Sequence, residues 1–184
     1  MHLGNGSTLQ AIIDNIENKN LDARINLVVS DNKDAFALEI AKKSNIPTYI
    51  INGKNKEEID IELESVLKNY SIDLIVLAGY LKMIGNRLIS KYTIINTHPS
   101  LLPKFGGKGM FGMNVHRAVI EAKEKVSGPT VHFVNEKYDE GNIISQTEVK
   151  IEEGETPESL AKKVQDVEKI QLIKVLKDFA KSSL

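Results

Sequence analysis

The strongest constraint on this chain is a regular alternation of short β-branched apolar runs with amphipathic stretches. Residues 25–30 (INLVVS), 47–51 (PTYII), 73–80 (DLIVLAGY) and 93–98 (TIINTH) read as strands, and helical periodicity fills 33–45 and 55–70. The run at 73–80 is almost continuously apolar, as a strand covered on both faces must be. Strand–helix–strand order with right-handed crossovers predicts an α/β fold: a mostly parallel sheet with helices on both faces. The rhythm changes after Pro99. A glycine-rich loop over 99–113 leads to a helix over 114–123, strands over 129–134 (PTVHFV) and 142–151 (NIISQTEVKI), and a last helix from Thr156 to about Ala180. Thr156 is placed to cap that helix and Pro157 suits its first turn. Leu160, Val164, Val167 and Ile170 are expected on its buried face. No repeat, low-complexity tract or linker divides the 184 residues, so a single domain over 1–184 is expected.

Composition closes off several functions. The net charge is −1, which supplies no basic field for nucleic acid. There is no cysteine, hence no disulfide framework, thiolate zinc site or cysteine nucleophile, a usage that suits the cytoplasm. No apolar run is long enough to span a bilayer, and the N-terminus has no apolar signal-peptide core, so no membrane partner is expected. The histidines lack His-x-x-x-His or His-Glu-x-x-His spacing, and no metal is expected.

Three local patterns carry chemistry. The first is Gly4-Asn5-Gly6-Ser7 running into a helix. Ser7 and Gln10 are spaced as a capping box, which puts the helix start at about Thr8. Amides at such a start have no intrahelical partner and can hold a phosphate. A plain glycine turn capping a helix accounts for the same residues. The second is residues 94–105 (IINTHPSLLPKF). Asn96 and His98 are two apart on a strand, so their side chains share a face, at the strand's C-terminal end where open α/β sheets bind ligands. An amide beside an imidazole can polarise a carbonyl, stabilise an oxyanion and move a proton. The third is Asp139, in a polar turn, which can orient and charge an imidazole or serve as an ordinary turn residue. His116 falls on a helix. His132 alternates with Val131 and Phe133 and reads as packed and hydrogen-bonded rather than catalytic.

Taken in order, residues 4–13 (GNGSTLQAII), 73–84 (DLIVLAGYLKMI), 95–105 (INTHPSLLPKF), 130–144 (TVHFVNEKYDEGNII) and 164–168 (VQDVE) resemble the glycinamide ribonucleotide formyltransferases of purine synthesis, a folate-dependent family. The resemblance implies a Rossmann-like three-layer α/β sandwich. It also implies formyl transfer from 10-formyltetrahydrofolate to the amine of glycinamide ribonucleotide, without a metal. It assigns catalysis to Asn96, His98 and Asp139, with Asp139 favouring the charged imidazole. It places the ribonucleotide at Gly6, Ser7 and Thr8, with Gln165 and Glu168 on one face of the last helix, Glu168 addressing the ribose hydroxyls. It places the folate at Leu81, Lys82, Met83 and Ile84, at Asn96, and at Asn135, Glu136, Lys137, Tyr138 and Asp139. Lys56 stands where relatives often carry Arg for the folate's glutamate tail; a solvated lysine at a helix start is an equal reading. The expected partners are small-molecule substrates, the expected compartment the cytoplasm, and the expected form a monomer or homodimer.

Other readings use the same motifs. Methionyl-tRNA formyltransferase shares the Asn-x-His-Pro core but needs a further domain and a basic tRNA surface. A formyltetrahydrofolate deformylase shares the core as well, with an N-terminal regulatory domain. A nucleotide-binding module of this fold without activity is a third. In this fold a central strand precedes the glycine loop, and Met1–Leu3 are too few to form it, since a strand takes about five or six residues. A short apolar segment lost ahead of the loop is the favoured expectation; a fragmentary chain, or flanking strands rearranged around a poorly anchored loop, are the alternatives.

Overall fold

The computed structural model describes residues 6–182; the expectation about a strand at Met1–Leu3, and Gly4 and Asn5 of the glycine loop, lie outside them. The element order is α1 (Ser7–Glu17), β1 (Val28–Ser30), α2 (Phe36–Lys43), β2 (Thr48–Ile50), α3 (Lys56–Leu67), β3 (Leu74–Leu77), α4 (Asn86–Ile89), β4 (Thr93–His98), α5 (Met113–Glu121), β5 (Val126–Ser127), β6 (Thr130–Phe133), β7 (Ile143–Gln146), β8 (Val149–Lys150) and α6 (Pro157–Ser182). The first half obeys the crossover rule: β1 pairs parallel with β2 around α2, and β3 pairs parallel with β4 around α4. The second half turns back on itself. β6 runs antiparallel to β4, β7 antiparallel to β6, giving a four-stranded sheet in the order β3-β4-β6-β7. A short antiparallel ladder joins β5 and β8.

β4 is paired on both edges, and its pleat splits the core. Ile95 packs with Val131, Leu172, Ile173 and Leu176 beneath α1 and α6. Ile94 packs with Ile59, Leu63, Ile84 and Leu88 beneath α3 and α4. A third cluster, Val115, Val119, Leu160 and Val164, joins α5 to α6. β1 is tied to the β3 side by the Asn26 amide donating to the Ser71 carbonyl (2.5 Å) and by Lys82 pairing with Asp31 (3.2 Å). Buried Glu64 of α3 takes Arg87 (2.8 Å) and Lys91 beside α4.

Several local expectations are corrected. The N-cap of α1 is Gly6 rather than Ser7; Ser7 is already helical, and the Gln10 amide turns forward to Asp14 (2.7 Å), so no capping box forms. At the start of α6 the expected cap is present, with the Ser159 amide donating to Thr156 Oγ1 (3.2 Å) and Pro157 in the first turn. Ile170, however, is 73% exposed. A strict i+3 step from Val167 drifts off the buried face, which continues through Gln171, Leu172, Val175 and Leu176. The expected strand over 142–151 is two strands in different ladders, because Gln146 ends the pairing with β6 and Val149 begins that with β5.

Candidate active site

The site assembles at the C-terminal end of β4. Asn96 lies opposite His132 in the β4–β6 register, and opposed residues of an antiparallel pair project to the same face. Asn96 Nδ2 lies 3.1 Å from His132 Nε2. Among the described residues His132 Nδ1 meets the Phe133 carbonyl at 2.8 Å, so that nitrogen carries the proton and Nε2 accepts from Asn96. His98 Nε2 donates to the Phe105 carbonyl (2.8 Å), and its Nδ1 faces Asp139 Oδ2 at 3.4 Å. Asp139 also meets His132 Nε2 at 3.6 Å and accepts from the Gly107 amide (2.9 Å). One carboxylate thus touches β4, its neighbour β6 and the glycine-rich loop.

The loop after β4 is clamped from behind. Thr130 Oγ1 donates to the Ser100 carbonyl (2.6 Å) and accepts from the Leu102 amide (3.1 Å), while Gln146 donates to the Leu102 carbonyl (2.9 Å). Phe105 and Asp139, the two residues that address His98, both hold left-handed backbone conformations (φ 56° each). Such conformations cost free energy for a non-glycine residue and persist only where surrounding contacts enforce them.

Burial dominates the electrostatics. It pushes the His98 imidazole below its ordinary value; Asp139 and the Phe105 carbonyl pull upward and His132 downward. Asp139 favours the charged imidazole, the direction the resemblance implies, while desolvation outweighs it in the net shift. Burial also opposes the charge on Asp139, yet the nearness of His132 and His98 and the Gly107 amide outweigh it and hold the carboxyl below its usual range. A neutral imidazole beside an ionised carboxylate can gain a proton when negative charge develops nearby. Next to this group opens a cavity of about 530 Å³ lined by Leu102, Pro103, Gly106, Gly107, Tyr138, Asp139, Glu140, Gly141 and Ile143. Among the described residues no group of three or more His, Cys, Asp or Glu side chains is arranged to hold a metal ion.

A family model described as formyl transferase matches residues 1–176. The chain belongs to the formyl transferase family. It is 41% identical over 167 residues to a chloroplastic phosphoribosylglycinamide formyltransferase of Arabidopsis thaliana, covering 88% of this chain and 57% of that protein. It is 39% identical over 153 residues to the phosphoribosylglycinamide formyltransferase of Haemophilus influenzae, covering 80% of this chain and 70% of that one. The crystal structure of the phosphoribosylglycinamide formyltransferase from Bacillus halodurans superposes with a TM-score of 0.89 at 34% identity, covering 98% of this chain and 93% of that one. The Rossmann-like α/β fold expected from the sequence is thus the fold of the family.

Within this formyl transferase the other expected site residues fall into three groups. Gly6, Ser7 and Thr8 form the first turn of α1, with Gly6 left-handed (φ 71°). A Cβ at Gly6 would lie 2.5 Å from Ile40 Cδ1, so close packing of α2 demands glycine there as much as any ligand does. α1 packs against α6. Lys177 donates to Asn20 just beyond the end of α1, and Ile12 and Ile16 share a cluster with Leu172, Ile173 and Leu176. Burial pushes the Glu168 carboxyl up, while Thr97 of β4 and Lys169 act downward.

The expected folate residues divide. Asn135, Glu136, Lys137 and Tyr138 are exposed on the turn before Asp139, and Tyr138 lines the cavity. Leu81 is exposed, Lys82 is paired with Asp31, and Met83 is half-buried. Ile84 is only 5% exposed and packs in the core with Leu88 and Ile59, so its side chain is structural. None of Leu81 to Ile84 lines the 530 Å³ cavity, which is instead walled by residues 102–107 and 138–143. Lys56 is exposed in the first turn of α3 and joins none of the contacts of the Asn96–His98–Asp139 group. His132 is buried and hydrogen-bonded as its alternation indicates, but it also touches two members of that group. The β4–β6 register that brings it there is not legible in either strand alone.

Proposed function

We propose that this chain transfers a formyl group from 10-formyltetrahydrofolate to the amine of glycinamide ribonucleotide, acting as a single domain, monomeric or homodimeric, in the cytoplasm. The observation that carries the reading is the convergence of Asn96, His98 and Asp139 from distant parts of the sequence, with His98 and Asp139 3.4 Å apart beside a cavity. The names of the similar proteins agree with it. The glycinamide amine attacks the formyl carbon, and negative charge builds on the formyl oxygen. Asn96 has a second amide N–H left to donate to that oxygen once the first is committed to His132. The charge raises the proton affinity of His98, so the imidazole, facing Asp139, takes up the proton that the attacking amine releases. The pair then passes the amine's proton toward the departing folate nitrogen. No covalent intermediate with the protein is required. Most of the acceleration comes from holding the two substrates together and from the oxyanion donors.

The test is a formyl-transfer assay with glycinamide ribonucleotide as acceptor. Turnover is expected in the wild type, and a loss of orders of magnitude in each of Asn96→Ala, His98→Ala and Asp139→Ala, with double variants far from additive. Binding of the ribonucleotide without turnover would overturn the enzymatic reading in favour of a nucleotide-binding module. Hydrolysis of the donor without an acceptor would favour a deformylase.

A further inference from the structure

His98 is oriented through a turn that another side chain holds closed. Its Nε2 meets the Phe105 carbonyl at 2.8 Å, and its Nδ1 faces Asp139 Oδ2 at 3.4 Å. A carbonyl only accepts, so the neutral ring keeps its proton on Nε2 and presents a lone pair at Nδ1. Phe105 offers that carbonyl from a left-handed backbone (φ 56°), which surrounding contacts must enforce. Two contacts bracket it. On one side Ser100 Oγ donates to the Lys104 carbonyl (2.6 Å), in the peptide that joins Lys104 to Phe105. The Phe105 carbonyl itself lies 3.4 Å from the same hydroxyl. On the other side the Gly107 amide donates to Asp139 (2.9 Å). Ser100 is fully buried, and its own carbonyl accepts from Thr130 Oγ1 (2.6 Å), so it is anchored to β6.

We propose that Ser100 is a positioning residue for proton transfer: its hydroxyl closes the 100–105 turn, so that Phe105 holds the proton of neutral His98 on Nε2 and Nδ1 is left to act as the base. The proposal rests on the reading of His98 as the group that moves the amine's proton. As the amine nitrogen bonds to the formyl carbon, its proton passes to Nδ1, where Asp139 stabilises the cation. As the bond from the formyl carbon to the folate nitrogen breaks, that nitrogen takes the proton from Nδ1. The ring ends neutral, with its original proton still on Nε2. The competing tautomer carries its proton on Nδ1, aimed at the carboxylate, and a hydrogen bond to a charged acceptor favours it. In that form Nδ1 cannot receive the amine's proton. The turn held by Ser100 works against it.

Long-range proton–nitrogen NMR spectra of the histidine-labelled full chain, recorded without substrates, read the tautomer. The His98 signals are assigned by their absence in His98→Ala. Above the titration of the ring, wild type should carry the His98 proton on Nε2. Ser100→Ala should shift the ring toward the Nδ1-protonated form. Its kcat for formyl transfer should fall about 10-fold, the size expected for one hydrogen bond. KM for both substrates should stay within about three-fold. Ser100→Cys, whose thiol is a weak donor, should fall between the two in both readouts. A merely structural role for Ser100 would lower the melting temperature and leave the tautomer unmoved. A wild-type His98 protonated at Nδ1 would overturn the proposal. So would an unchanged tautomer or an unchanged kcat in Ser100→Ala, or in Ser100→Cys where only that variant folds. A wild-type chain that transfers no formyl group would overturn the function itself, while the tautomer would still decide what Ser100 does to His98.

Discussion

His116 gives the clearest quantitative test of the site's electrostatics. It lies on α5 with 5% exposure, and its Nδ1 is buried without a hydrogen-bond partner among the described residues. Burial, reinforced by the nearby His98, pushes its imidazole down to about 4 from an ordinary 6.5. The native state therefore refuses a proton that the unfolded chain accepts. Above pH 6.5 neither state is protonated and nothing is lost. As pH falls from 6.5 toward about 4, the unfolded state binds the proton and the native state does not, so stability declines across that window. The whole difference corresponds to about 3 kcal/mol, of which about 2.5 kcal/mol is spent by pH 4.5. His116→Leu removes the titration and the unpartnered nitrogen while keeping an apolar helix face. Urea unfolding at a series of pH values should show the two proteins within about 1 kcal/mol at pH 7.5. The variant should lead by roughly 2.5 kcal/mol at pH 4.5. His98 titrates in both chains and drops out of the comparison. Stability curves that stay parallel from pH 7.5 to 4.5 would refute the reasoning.

Other perturbations have defined outcomes. Gly6→Ala places a Cβ 2.5 Å from Ile40 Cδ1 on a backbone at φ 71°, and should cost about 2 kcal/mol in urea unfolding. Gly154→Ala, left-handed at φ 77° but with open space around it, should cost less than Gly6→Ala. Leu160→Ala removes a fully buried side chain of α6 and should cost about 3 kcal/mol, whereas Ile170→Ala should stay within about 0.5 kcal/mol. Hydrogen bonds from Lys91 and Arg87 hold the Glu64 carboxyl down at about 2, so it stabilises the fold at ordinary pH and loses that contribution between pH 4.5 and about 2. Glu64→Gln should accordingly melt below wild type at pH 7, with the gap closing in that acid window.

Sequence periodicity reached the elements whose burial repeats. Residues 93–98 were bounded correctly because β4 is paired on both edges and Pro99 ends it. The short pieces escaped. α4 has four residues and β5 two, too few to show a period, and the break between β7 and β8 is decided by which partner each meets. In the site, Asn96, His98 and Asp139 were legible as residue types at suggestive positions. The Phe105 carbonyl and the Gly107 amide were not, since a backbone group carries no sequence signal. The capping box at Ser7 failed for a packing reason: α2 crosses so close to Gly6 that the chain enters α1 through a left-handed glycine.

The two-faced character of β4 bears on how this family can vary in length. Both edges of the strand are locked in register, by β3 on one side and β6 on the other. A single residue inserted between Tyr92 and Thr93, if absorbed by sliding the strand, would turn Asn96 and His98 toward α6 and Thr97 toward Asp139. If the ladders hold instead, the extra residue must be expelled as a bulge at the exposed start of the strand. Homologous chains should therefore tolerate insertions in the turn before Thr93 and in the loop beyond Phe105, and show none between Ile94 and Pro99. A deep mutational scan that includes single-residue insertions would display this as a sharp six-residue gap, set by the alternation of a β-strand rather than by the chemistry of any one side chain.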